Sequence, residues 1–317
     1  MKKVKSKLSL LLLGGIVFMV LASVESCSKS SSTPITPIGG FDSSGAVEPQ
    51  ALVAYWNFDN QSNETISGTA AYSTGVTYGT GIKGEAYQGA AGAFDTLPVP
   101  AAFNSLPSYS ISFWYQLPAQ IVNNAGVGPN NAQGLFFVSP QNPGSYADLI
   151  YELDQPNGTQ IGTDTIPIHT GFTNLASAGW QGFTMAAYDT STFNNDWIHV
   201  VTTYDASTST YVIYQDGLPI LNQSAFGTAT SNILYQGALG STPPPALQGA
   251  LGFTNSTSTD KPTSITIGTW PAGLYGVSST RGGNGCFLGK LDELRVYNIA
   301  ISQKDVTGLY LNGLSGR

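Results

Sequence analysis

The sequence predicts an all-β domain, a sandwich or barrel of short strands with one short C-terminal helix. Three observations carry this reading. Short β-branched and aromatic runs recur between residues 51 and 312, separated by clusters of Gly, Pro, Asn, Ser and Thr, as the strands and turns of a sandwich or barrel alternate. Almost nothing in that span before Ser302 has apolar residues at helical spacing. The chain holds only two cysteines, Cys27 and Cys286, so the fold has to rest on a packed core and not on a disulfide framework.

The N-terminus reads as an address. Lys2, Lys3, Lys5 and Lys7 form a positive head, and an apolar run from Leu8 to Ala22 follows. That run is short for a membrane-spanning helix, which needs about 20 apolar residues. It ends in Val24-Glu25-Ser26-Cys27, a small residue before a cysteine, which resembles the lipobox of bacterial lipoproteins. Residues 1–26 are accordingly expected to be a lipoprotein signal peptide, with Cys27 lipidated. The alternative is an ordinary secretory signal in which Cys27 has no special part. Residues 28–49 are rich in Ser, Thr, Pro and Gly and nearly free of large apolar side chains, so they read as a flexible tether. The globular domain is then expected over 50–315.

Charge narrows the partners. Loss of residues 1–26 removes four lysines and one glutamate and leaves 8 basic and 18 acidic side chains, a net charge near −10. With no basic stripe to neutralise phosphates, nucleic acid is excluded as a class, and acidic polysaccharides are disfavoured. Neutral glycans or a divalent cation suit this charge.

Within the domain, strands are expected at Leu52 to Phe58, Tyr109 to Leu117, Trp197 to Tyr204, Tyr211 to Tyr214, Ile265 to Gly268 and Phe287 to Tyr297. Asp216-Gly217 supplies a tight-turn pair. The helix follows Ser302, which with Asp305 makes a capping box; Val306, Leu309 and Tyr310 keep helical spacing, and Gly313 suits its stop. Its expected task is to close one end of the sandwich. Three stretches, 119–134, 155–195 and 222–263, read as long loops, where binding usually resides.

Four segments together resemble the laminin-G-like jelly-roll family of the concanavalin A-like lectin and glucanase superfamily. They are the opening strand L-V-A-Y-W-N-F-D (52–59), Y-S-I-S-F-W-Y (109–115), the W-I-H-V strand with its Y-Q-D-G hairpin (197–217), and F-L-G-K-L-D-E-L-R-V-Y-N-I-A-I-S (287–302). The resemblance implies two antiparallel sheets packed face to face in a jelly roll. It does not imply one function, because relatives include lectins, adhesion modules and glycoside hydrolases.

Catalytic motifs are incomplete. Glu152-Leu153-Asp154 opens like a laminarinase-type site, but Pro156 and Asn157 stand where the second carboxylate of a retaining pair belongs. Asp292 and Glu293 are adjacent and would point to opposite faces of a regular strand. His199 reads as a sandwich-face residue and His169 as a loop residue. The enzyme reading is therefore the weaker one. Leu291, Leu294 and Val296 do not share one period-2 face, so a bulge near Asp292 and Glu293 is expected, bringing a carboxylate inward. Such a carboxylate needs backbone amides or a hard cation. The resemblance implies calcium near the first and last strands, with Asp59 and Asp292 as ligands and Asn63 or Glu64 beside them. The competing reading has Asp59 capping a turn and Asp292 held by Arg295 or a backbone amide.

Sugar binding needs an exposed ring for the apolar face of a pyranose. Trp180 and Trp270, flanked by small loop residues, and Tyr275 nearby are the candidates; the alternative is that the two tryptophans lid the core. Trp56, Trp114 and Trp197 sit in strand patterns and read as core. The resulting expectation is a non-catalytic carbohydrate-binding or adhesion module, held at the outer membrane by a lipid and facing the periplasm or the cell surface. An envelope protein as partner is the alternative, and a divergent polysaccharide-degrading enzyme is the third reading. Ser28-Lys29-Ser30-Ser31-Ser32 after the lipobox resembles lipoproteins of the Bacteroidota.

Overall fold

The structure is a computed structural model that describes residues 36–104, 106–117, 133–139, 147–153, 165–174, 179–189, 195–220, 232–236, 246–252, 262–271 and 285–317, with backbone alone for 165–167, 173, 174 and 179–189. Residues 37–317 form one compact unit. In chain order its strands are β1 (Leu52–Trp56), β2 (Tyr72–Thr74), β3 (Thr77–Thr80), β4 (Glu85–Gln88), β5 (Phe94–Pro98), β6 (Tyr109–Gln116), β7 (Gln133–Ser139) and β8 (Leu149–Leu153). Then come β9 (Thr165–Asn174), β10 (Gly179–Asp189), β11 (Trp197–Asp205), β12 (Thr210–Gln215), β13 (Leu218–Pro219), β14 (Ser264–Ile267), β15 (Lys290–Tyr297) and the helix α1 (Gln303–Leu314).

Among the described residues these strands make two antiparallel sheets. The eight-stranded sheet runs β13-β12-β11-β6-β15-β4-β3, with β1 also on β15; the seven-stranded sheet runs β10-β9-β8-β7-β14-β5-β2. Among the described residues the protein is thus an all-β, two-sheet antiparallel sandwich with one C-terminal helix.

Period-2 alternation builds the core. Along β6, Tyr109, Ile111, Phe113 and Tyr115 point between the sheets, where they meet Ile198, Val200 and Tyr204 of β11 and Leu149, Tyr151 and Leu153 of β8. Each such fully buried large side chain stabilises by about 1.5–3 kcal/mol. Hydroxyls buried in this layer find one another: Tyr151 pairs with Thr202 at 2.5 Å and Tyr211 donates to Thr170 at 2.8 Å. Trp56 and Trp114 are fully buried and Trp197 partly so.

The outer face of the eight-stranded sheet is also covered, which explains why β6 and β11 read as nearly continuous apolar runs. Helix α1 lies across it: Val306 and Leu309 pack with Val201, Tyr214 and Tyr297, and Tyr310 stacks on Trp114 with centroids 5.7 Å apart. The expected capping box forms, Ser302 and Asp305 exchanging hydrogen bonds. The helix therefore seals a face and does not close an end, because its apolar stripe meets the outward residues of β11 and β12.

Two boundaries expected from sequence are corrected. Residues 37–49 are not tether: Val47 is buried with Ala51, Ser44 donates to the Arg317 carbonyl at 2.7 Å, and the Asn312 amide donates to the Ile38 carbonyl at 2.8 Å. Their few apolar side chains have a partner in α1 that local composition does not reveal. The stretch 155–195 is not a loop throughout, since β9 and β10 form a long hairpin within it. Pro167, Gly171 and the Thr-rich surroundings of β9 hid it. Within 222–263, Ile233 bridges to Thr210 and Tyr235 to Leu247.

Candidate functional site

With one outer face sealed, the chemistry gathers on the other. On β8, Leu149, Tyr151 and Leu153 belong to the core, so Ile150 and Glu152 share the outer face of the seven-stranded sheet, and Asp148 stands just before the strand. Phe137 on β7 stands opposite Ile150, and this register ends with Val138 opposite Leu149, beyond which the Asp148 amide donates to the Val138 carbonyl at 2.8 Å. On β9, Gly171 faces Ile150 and His169 faces Glu152. The Glu152 carboxylate and the His169 Nδ1 are 3.4 Å apart, both buried. At the other end of the row, neither oxygen of Asp148 nor the Ser139 hydroxyl has a hydrogen-bond partner, although both side chains are buried. Burial pushes the Asp148 carboxyl up to about 8. Phe137, Ala147, Ile150 and Trp270 form an apolar group between these two polar ends.

Gln116 pairs with Lys290, Gln133 with Leu153, Ile267 with Phe136, and Leu153 with Ile168. The ends of β6, β8 and β14 and the starts of β7, β9 and β15 therefore meet at one end of the sandwich, near Glu152.

The expected ligands of calcium meet on one turn. Asp292 accepts the amides of Ile82 at 2.9 Å, Lys83 at 3.2 Å and Glu293 at 2.8 Å. Asp59 accepts the Glu85 amide at 2.8 Å and the Asn57 side chain at 2.9 Å. Both acids thus grip the β3–β4 turn. Its Gly81 and Gly84 leave them room: a Cβ would stand 2.4 Å from an Asp292 oxygen and 2.1 Å from an Asp59 oxygen. The bulge is present, with the register shifting between Asp292 and Arg295 and Glu293 at φ 52°. Burial, then the neighbouring Glu293 charge, push Asp292 up to about 8, against the pull of its three amides. Such a donor set suits an acid anchored by amides better than a cation cage. Among the described residues no group of three or more His, Cys, Asp or Glu side chains is placed to hold a metal. Glu64 accepts the amides of Tyr55, Ile66 and Ser67, and Asn63 accepts that of Ala71.

Glu293 turns inward beside Arg295, which it pairs with, and Tyr55 donates to it. The Arg295 guanidinium also sits over the Tyr55 ring, 4.6 Å from its centroid. His199 lies under α1, stacked on Trp114 at 4.7 Å and paired through Nε2 with the Ser112 hydroxyl at 2.9 Å. Burial, with the Arg295 charge second, holds its pKa down to about 3.

Of the proposed sugar platforms, Trp270 is only 6 % exposed and packs against Phe137, Ala147 and Ile150, so its ring lids the sheet. Trp180 lies on β10 opposite Thr173, its side chain outside the described residues. Tyr275, Asp154 and Cys27 lie outside the described residues altogether. His169 is a strand residue. Asp148 and Ser139 were missed by sequence reading; the signal was the i, i+2, i+4 spacing of Asp148, Ile150 and Glu152.

Fold and site together define an all-β sandwich with one closed outer face and one that carries polar side chains around an apolar patch. No family model and no curated protein matches the chain. Solved structures resemble it distantly, in fold. Domain 4 of AbnA, a GH43 extracellular arabinanase from Geobacillus stearothermophilus solved with arabinotriose, is 19% identical; the match covers 82% of this chain and 98% of that one, with a TM-score of 0.44. The botulinum neurotoxin serotype D ligand-binding domain, solved with N-acetylneuraminic acid, is 13% identical over 84% of this chain and 52% of that one, TM-score 0.49. A Trypanosoma rangeli sialidase is 14% identical over 88% of this chain and 35% of that one, TM-score 0.47.

Proposed function

We propose that this protein is a non-catalytic carbohydrate-binding or adhesion module of the cell envelope, anchored through a lipid on Cys27. The observation that carries the reading is the asymmetry of the sandwich. Helix α1 and residues 37–51 occupy the outer face of one sheet, whereas the other bears Glu152, His169, Asp148 and Ser139 around Phe137, Ile150 and Trp270. All of these side chains are buried; what supports the reading is their make-up, polar groups bordering apolar ones, which suits a sugar with hydroxyls at its rim and C–H groups on its faces. The low content of basic side chains favours a neutral glycan. Trp180 on β10 and Tyr275 belong to this proposal as ring platforms, whereas the buried Trp270 does not.

The lipid anchor and the outer-membrane location rest on the N-terminal sequence. Among the described residues no helix is long and apolar enough to cross a membrane. Replacing Cys27 by Ser is expected to move the protein from the membrane fraction to the soluble fraction. A structural calcium at Asp59 and Asp292 is part of the proposal, supported by their meeting on one turn and opposed by the amides that already engage them.

The deciding experiment is a polysaccharide array probed with the full chain, once with calcium and once with chelator. Glycan binding abolished by chelator supports both module and ion; binding that survives chelator keeps the module and removes calcium from ligand recognition. No binding to any glycan overturns the reading in favour of a protein partner in the envelope.

A further inference from the structure

Among the described residues, Asp95 on β5 and Asp148 just before β8 are buried acids with no hydrogen bond to either carboxylate oxygen. A buried acid in that state forfeits its hydrogen bonds to water, and folded proteins rarely leave one unmet unless a proton, a water, an ion or a ligand answers it. Glu64 and Asp292, by contrast, take backbone amides, and Glu293 takes Arg295. Surroundings separate Asp95 from Asp148. Burial is the one influence on the Asp148 carboxyl. Around Asp95 the hydroxyls of Ser62 and Ser73 stand near enough to favour the charged form, against a larger push from burial.

Strand register brings these groups together. Asp95 lies two residues before Leu97, which belongs to the core, so its side chain turns inward between the sheets. Its partner on β14 is Ile267, also core, and its partner on β2 is Ser73. From the opposite sheet come Tyr78 of β3 and Tyr87 of β4, paired with each other and both within reach of the Asp95 charge. The loop after β1 delivers Ser62, whose hydroxyl is 2.9 Å from that of Tyr78. Asp95 and Ser62 are buried, Tyr78 is half-buried and Ser73 is exposed. Because β2 and β3 are the last strands of their sheets, these oxygens gather at the side of the sandwich, with Ser73 at the mouth.

We infer that Asp95, with the hydroxyls of Ser62, Ser73 and Tyr78, forms a site for a monovalent cation such as sodium or potassium. Hard cations take oxygen ligands, and carboxylate and hydroxyl oxygens from β2, β3, β5 and the loop after β1 converge here. Charge selects a single positive unit, since the cluster contains one carboxylate and no other acid acts on it. Calcium sites draw affinity from several charged ligands, and the described residues hold no group of three or more His, Cys, Asp or Glu placed for a metal. A cation at Asp95 offsets the cost of burying the acid and ties the edge strands of both sheets to one point. The site is separate from the calcium proposed at Asp59 and Asp292, and it does not depend on glycan binding.

The test follows urea unfolding of the full chain at pH 8 and fixed ionic strength, while sodium or potassium chloride replaces choline chloride, whose cation is too large for such a site. The wild-type urea midpoint is expected to rise with the small cation as it fills the site, and the sodium-23 resonance is expected to broaden in the presence of the protein. Asp95→Asn is expected to abolish both effects, and Asp148→Asn to keep them. Tyr78→Phe removes one ligand oxygen, keeps the ring, and is expected to raise the half-saturating concentration on the order of fivefold. It decides the matter should Asp95→Asn fail to fold. A wild-type midpoint that is equal in choline, sodium and potassium shows that a proton or a water answers Asp95, and overturns the inference. So does an ion response that Asp95→Asn retains or, in its stead, that Tyr78→Phe leaves unchanged.

Discussion

The buried acids of this protein differ in who answers them, and that decides what each does. Glu64 takes three backbone amides and holds the loop after β1. Asp292 takes three amides and holds the β3–β4 turn. Asp148 takes none, and its proton is retained up to about pH 8 against an ordinary value of 3.8. Between those values the unfolded chain has lost the proton that the folded chain keeps. Stability contributed by the protonated group is therefore whole below pH 3.8 and is lost as pH rises through about 8. Asp148→Asn removes this dependence. Its unfolding free energy in urea is expected to exceed that of wild type at pH 8 to 9 by on the order of a few kcal/mol, the gap closing by pH 4. A gap that does not change with pH would show that Asp148 ionises freely in the fold. His199 pushes the other way in acid, since its pKa is held near 3 and its contribution is lost as pH falls from 6.5. It is common to both proteins and cancels in the comparison.

At the scale of elements, the β3–β4 turn and the bulge of β15 form one device. Glu293 in the left-handed region turns Asp292 toward the turn, and Gly84, with φ +64°, lets the chain pass Asp59. Gly84→Ala meets both obstacles: a left-handed backbone that disfavours a Cβ, and an Asp59 oxygen 2.1 Å from where that Cβ would stand. It is expected to cost about 1–3 kcal/mol in urea unfolding. In an Asp59→Ala background the cost is expected to fall to the backbone share, about 1 kcal/mol. Equal costs in the two backgrounds would mean that Asp59 does not crowd the turn. The elements differ in how plainly the sequence announced them. β6, β11 and β15 are long apolar runs and α1 has a capping box, so all four were legible. β2 to β5 are short and carry Gly, Ser and Thr, and β9 is interrupted by Pro167 and Gly171, so their pairing depends on partners far along the chain. The bulge was legible because Leu291, Leu294 and Val296 break the period of two.

At the scale of the whole molecule, the segment before β1 belongs to the fold. Val47 and Ala51 complete the apolar layer beneath α1, and Ser44 and Ile38 fasten to the C-terminal turn. A protein beginning at residue 51 is expected to be less stable than one beginning at residue 37 by about 3 kcal/mol or more, given the buried valine and the lost hydrogen bonds. Equal urea midpoints for the two would return residues 37–50 to the tether.

The sequence by itself determined the class of fold, because the alternation of inward and outward side chains and the turn residues between runs are local properties. It also determined the helix cap, the charge that disfavours phosphate-bearing partners, and the bulge at Asp292. Only the tertiary structure decided that α1 covers one outer face, that Trp270 lids a sheet, that His169 meets Glu152 across two strands, and that Asp148 is buried without a hydrogen-bond partner. Each of these is a contact between residues distant in sequence, and a carboxylate's neighbours, which set whether it anchors a turn or awaits a ligand, are chosen by packing and not by the residues on either side of it.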